Sequence, residues 1–145
     1  MDSSLIGMTV AVVILVMCSA YFSATETAFT SLNTIRMKTW AENGDKRAAR
    51  ALALEQDYDK LLSSILIGNN IVNITATTIS TLLFTKIFVT YGATISTVVI
   101  TIVVLIFGEI SPKSVAKEFP ERFAMFSAPI LRVIILVLTP LNFLF

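Results

Sequence analysis

Glu109 stands between Gly108 and Pro112 in the stretch FGEISPK (107–113), a carboxylate at the end of a long apolar run. An ionised carboxylate at the centre of a membrane helix costs about 2.5–3.5 kcal/mol, and less near an interface. Glu109 therefore needs a partner or a proton, unless it reaches the surface from its place near the end of the run. Pro112 has no backbone N–H, so it withholds the usual helical partner from the carbonyl four residues earlier, that of Gly108. A bare carbonyl beside a carboxylate is a pair of hard oxygens of the kind that small cations take as ligands.

A second run supplies amides. In IGNNIVNI (67–74), Asn69 and Asn73 are four residues apart and share one helix face, Asn70 is turned away by about 100°, and Gly68 permits close approach of a neighbouring helix. Amides in lipid must find partners within the protein, either as interhelical glue or as ligands. After the first apolar run, YFSATETAF (21–29) adds the hydroxyls of Ser23 and Thr25, with Glu26 placed either to join them or to cap the helix that follows. The set Ser23, Asn69, Asn73, Gly108 and Glu109, supported by Thr25, Glu26, Asn70 and Pro112, is a hard-oxygen site. By ligand type it suits Mg²⁺, Ca²⁺ or Na⁺ and disfavours metals that seek thiolate or imidazole.

The elements that must position these residues follow from composition. The chain has 145 residues, 55% of them hydrophobic and 14% charged, with a mean hydropathy of +0.81, which marks a membrane protein. A net charge of +1 without a clustered basic excess argues against nucleic acid as a partner. With no histidine and one cysteine, Cys18 in an apolar run, there is no disulfide framework and no Ser-His or Cys-His nucleophile. Ser23 and Lys113 as a Ser-Lys pair lack an oxyanion site, so the chain is read as no enzyme.

The expected fold is an all-α membrane protein with spans at about 5–24, 61–84 and 93–111 and a helical hairpin at about 26–56. Asn43-Gly44 stops the first arm of the hairpin, Asp45 caps the second, and Asp57 or Asp59 caps the second span. The start MDSSLIGM has no basic residue and no cleavage pattern, so the first span is retained. Six basic residues fall between the first two spans and three soon after the third, against Lys86 alone between the second and third. The positive-inside rule then puts the N-terminus outside and both basic loops, with the hairpin, in the cytoplasm. A fourth run, about 123–145, carries Pro129, Arg132 and Pro140, which weaken it as a crossing helix and leave a place along the interface. One transmembrane domain is expected, and the apolar ending TPLNFLF predicts that the native protein continues.

The combination FSATETAFTSL, IGNNIVNI and GEISPKSVA, in this order and spacing, resembles the transmembrane domain of the CorC / cyclin M (CNNM) family of magnesium transporters. The resemblance implies a homodimer in the bilayer with three spans per protomer, the 123–145 run as a juxtamembrane belt helix, and sodium-dependent export of Mg²⁺ with Na⁺ as coupling ion. It also implies CBS domains beyond residue 145, through which alone ATP would act, and it carries the family's ion ligands onto Ser23, Asn69, Asn73, Gly108 and Glu109. The rival expectations are a passive divalent-cation channel and a non-transporting anchor for a cytoplasmic domain.

Overall fold

The computed structural model describes residues 3–56 and 58–144, with the side chains of Thr139 and residues 141–144 left aside. Among the described residues all regular structure is helical: α1 (Ser3–Ser31), α2 (Thr34–Glu42), α3 (Lys46–Gln56), α4 (Tyr58–Ile87), α5 (Gly92–Val103), a π-helical segment (Val104–Ile110), α6 (Ser111–Glu118) and α7 (Pro120–Leu144). Three stretches are long and apolar enough to cross a membrane: Ser3–Ser31, Tyr58–Ile87 and Gly92–Glu118. The expected all-α membrane fold with three such helices is what the structure has.

Boundaries differ from expectation in three places, each for a local reason. Residues 26–31, expected in the hairpin, continue α1, which at 1.5 Å per residue extends for roughly 43 Å. The break comes at Asn33, whose extended backbone and side-chain oxygen, accepting from Arg36 N–H at 3.1 Å, start α2. Asp59 lies inside the first turn of α4 rather than at its cap, where its charge still favours the helix N-terminus; Asp57 is outside the described residues. The third run does not stop at Pro112 but passes through a π turn and continues as α6.

The chain forms two compact units. One takes α1 up to Ser23 together with Asn69–Pro112. Within it α1 and α4 run antiparallel, tied at one end by Lys86 Nζ donating to Ser4 Oγ at 3.0 Å and further along by Ser19 Oγ donating to Asn69 Oδ1 at 3.1 Å. Helices α4 and α5 meet at the buried hydroxyls of Ser80 and Ser96, 2.8 Å apart. Small polar residues let membrane helices approach closely while satisfying one another. Gly92 closes the turn between α4 and α5: a Cβ there would lie 2.6 Å from Thr85 Cα and 2.7 Å from the Phe84 carbonyl oxygen. Many threonines of these helices bond back along their own helix, as Thr77 Oγ1 does to the Asn73 carbonyl at 2.9 Å.

The other unit takes Ala24–Gly68 and the chain from Lys113 onward. The hairpin punctuation is as expected: Gly44 adopts φ +96° after α2, and Asp45 Oδ1 accepts from Arg47 N–H at 2.9 Å and Ala48 N–H at 3.3 Å to cap α3. Helix α3 packs on α2 and on α7, with Ala48 and Ala51 fully buried. The fourth run forms one helix, α7, continuous across Pro129 and Pro140. Ala124, Ala128 and Leu131 bury one face of it, while Phe126, Ile130, Val133 and Val137 leave an apolar stripe exposed. Glu121, 8% exposed in the first turn of α7, accepts from Asn33 N–H at 3.3 Å and pairs with Arg36 at 3.6 Å.

Candidate functional site

The expected site residues fall mostly into the first unit, which holds Ser23, Asn69, Asn70, Asn73, Gly108, Glu109 and Pro112, whereas Thr25 and Glu26 belong to the second. Asn69 and Asn73 do share a face of α4: Asn73 Nδ2 donates to Asn69 Oδ1 at 3.5 Å, the long end of a hydrogen bond. Asn70 is exposed, in keeping with its different heading.

The residue that joins the spans was not among those expected. Ser19, 1% exposed on α1, donates its hydroxyl to Asn69 Oδ1. A Cβ at position 108 would stand 3.1 Å from Ser19 Oγ and 3.6 Å from Ser19 Cβ, so Gly108 is where the third span closes on that serine. Three membrane-length segments thus meet at Ser19, Asn69 and Gly108. The spacing did carry a signal: Ser19 precedes Ser23 by four residues, one helical turn, and so shares its face. Ser23 is 2% exposed.

The oxygen inventory of this cluster is uneven. Asn69 Oδ1 receives two donors, from Ser19 and Asn73. The Ser19 hydroxyl, having donated, keeps lone pairs for another partner. Asn73 Oδ1 is buried and without a hydrogen bond among the described residues. An unmet buried acceptor in a native fold is unfavourable by about 1–3 kcal/mol and calls for a ligand or water. Asn73 also lines a pocket of about 210 Å³ with Thr77, Ile100, Thr101, Val104 and Leu105.

Gly108 and Glu109 lie within the π-helical segment, where the expectation was a plain helix end. Here Ser111 N–H bonds to the Ile106 carbonyl, five residues back. Pro112 withholds its donor from Gly108 in an α register and from Phe107 in this wider one, so the proline disturbs two successive carbonyls. Single π turns inside α-helices are frequent at functional sites. Glu109 is half-buried, and its side chain forms no hydrogen bond or ion pair among the described residues. Among those residues no three of Asp, Glu, Cys and His gather as a metal group.

Comparison with known proteins places these features in context. Residues 10–145 match the Cyclin M transmembrane N-terminal domain. The chain is 41% identical to a UPF0053 protein of Haemophilus influenzae, over 99% of this chain and 34% of the relative. It is 37% identical to the UPF0053 inner membrane protein YfjD of Escherichia coli, over 87% of this chain and 29% of the relative. A DUF21 domain-containing chloroplastic protein of Arabidopsis thaliana is 36% identical over 68% of this chain and 15% of its own length. The chain spans about a third of the length of the first two of these relatives.

Proposed function

The chain belongs to the cyclin M transmembrane (CNNM) family of membrane proteins, and from that premise we propose that it is the membrane part of a Mg²⁺ transporter whose cargo passes through the Ser19–Asn69–Asn73–Gly108 cluster. The observation that carries this reading is the buried Asn73 Oδ1, without a hydrogen-bond partner among the described residues, beside the point where three membrane-length segments meet. Mg²⁺ holds its water tightly and prefers six oxygens at about 2.0–2.1 Å, so protein oxygens must replace several waters together. Asn73 Oδ1, the Ser19 and Ser23 hydroxyls and the Gly108 carbonyl supply neutral ligands, and Glu109 supplies charge. The long Asn73–Asn69 bond is the one that gives way when the ion arrives, since little is lost by breaking it.

In this reading the protein works as a homodimer by alternating access, with the N-terminus outside and Na⁺ entry driving Mg²⁺ export. ATP acts only through cytoplasmic domains outside these 145 residues. Neutral oxygens plus one carboxylate suit ion transport better than bond-making chemistry, which would need a nucleophile beside an oxyanion site.

Calorimetric titration of purified protein with Mg²⁺ tests the site. Saturable heat in the parent that is lost in Asn69→Ala supports it. Absence of saturable binding in a folded parent favours the non-transporting anchor instead.

A further inference from the structure

The second unit carries a basic groove that the ion site does not use. Along the seam between α3 and α7 lies a cavity of about 790 Å³ with Leu54, Val133 and Leu136 among its apolar walls and Arg50 and Arg132 as its charged groups. A neighbouring cavity of about 510 Å³ brings Arg47, Arg50 and Arg122 together with Met125 and Phe126. Arg50 and Pro129 line both, so the two are successive stretches of one groove. Volumes of about 300–1,000 Å³ are those of small-molecule sites.

The charge in the groove is of one sign. Among the described residues, four arginines line it and no acidic side chain does. Among the described residues, Arg47 is the one of the four that forms an ion pair, with Asp45 at 4.0 Å and Arg47 largely exposed, a distance and exposure at which the pair contributes little. Guanidinium groups are planar forks that match phosphate oxygens in pairs, and they are less strongly hydrated than ammonium groups. The apolar walls continue into the exposed stripe of α7, where Phe126 and Val133 stand 68% and 62% exposed. A ligand that fits must therefore be anionic at one end and apolar at the other.

We propose that this groove binds an anionic phospholipid, with the phosphate held by Arg47, Arg50 and Arg122 and the acyl chains running past Arg132 along Val133 and Leu136. A free phosphate or nucleotide would use the arginines but leave the apolar stretch uncovered. A lipid uses both, and the protein resides where lipid is the most abundant amphiphile. The inference stands apart from the ion site, since it involves none of the same residues.

Native mass spectrometry of the protein released from nanodiscs of phosphatidylcholine and phosphatidylglycerol in equal parts tests it. The parent is expected to retain phosphatidylglycerol over phosphatidylcholine. Arg50→Gln and Arg122→Gln should each lower that preference about fivefold, the effect of roughly one basic residue at an anionic surface. Arg36→Gln, outside the groove, should leave it unchanged. Arg50→Lys, which keeps the charge and removes the fork, should fall between parent and Arg50→Gln, and it serves if the glutamine variants fold poorly. Equal retention of both lipids by the parent overturns the proposal. So does a preference that survives Arg50→Gln, or displacement of phosphatidylglycerol by millimolar inorganic phosphate, which would assign the arginines to a free anion.

Discussion

Gly108 stands so close to Ser19 that a Cβ on residue 108 would meet Ser19 Oγ at 3.1 Å, the same oxygen that donates to Asn69. Contact at that distance requires the neighbour to give way. Gly108→Ala is expected to displace the Ser19 hydroxyl from Asn69 and lower stability by about 1–3 kcal/mol, the usual effect of adding a methyl group to a filled contact. In Gly108→Ala/Ser19→Ala the nearest Ser19 atom becomes Cβ at 3.6 Å, an ordinary contact. Thermal melts in detergent should therefore show the double variant losing less than the two single losses added.

Asn73→Leu separates stability from function. It removes an acceptor that has no hydrogen bond among the described residues and a donor that makes only a 3.5 Å one. Replacing an unmet buried polar group by an apolar group of similar size is neutral or stabilising. The variant should melt at or above the parent temperature while losing Mg²⁺ binding by calorimetry. A marked fall in melting temperature would mean that Asn73 holds the helices together.

Glu121 offers a test of what joins α7 to the start of α2. Its carboxylate accepts from Asn33 N–H, whereas its partner Arg36 has a side chain 57% exposed, so the hydrogen bond outweighs the screened ion pair. Glu121→Gln keeps an acceptor and should change stability by under about 0.5 kcal/mol, whereas Glu121→Ala leaves the amide unmet and should lose about 1–2 kcal/mol. Equal losses in the two variants, read by thermal melts, would show that charge matters more than the acceptor.

The features legible in the sequence are those written locally. Asn43-Gly44-Asp45 ends one helix and begins another through bonds within five residues, and the three long apolar stretches need only their own composition. Asn69 and Asn73 were paired by helical spacing alone. Ser19 was not legible as a partner, because its role depends on which residue of α4 lies opposite, and that register is set by contacts fifty residues away. The many threonines of α4 are equally polar in sequence, yet Thr75, Thr77 and Thr78 satisfy themselves on their own helix. The π turn at Val104–Ile110 was hidden for a related reason. Gly108 and Pro112 announced a disturbance of the helix, but a helix can answer it by breaking, kinking or widening, and here it widens and continues to Glu118.

In the proposed transport, Glu109 gives the oxygen cluster the charge it needs to move Mg²⁺. Mg²⁺ flux into or out of liposomes holding the purified protein, driven by a sodium gradient, measures it with the parent and Glu109→Gln side by side. Sodium-dependent flux is expected in the parent and a loss of at least about tenfold in the variant, the equivalent of roughly 1.4 kcal/mol, with the variant still folded. Flux at the parent rate in Glu109→Gln would contradict it.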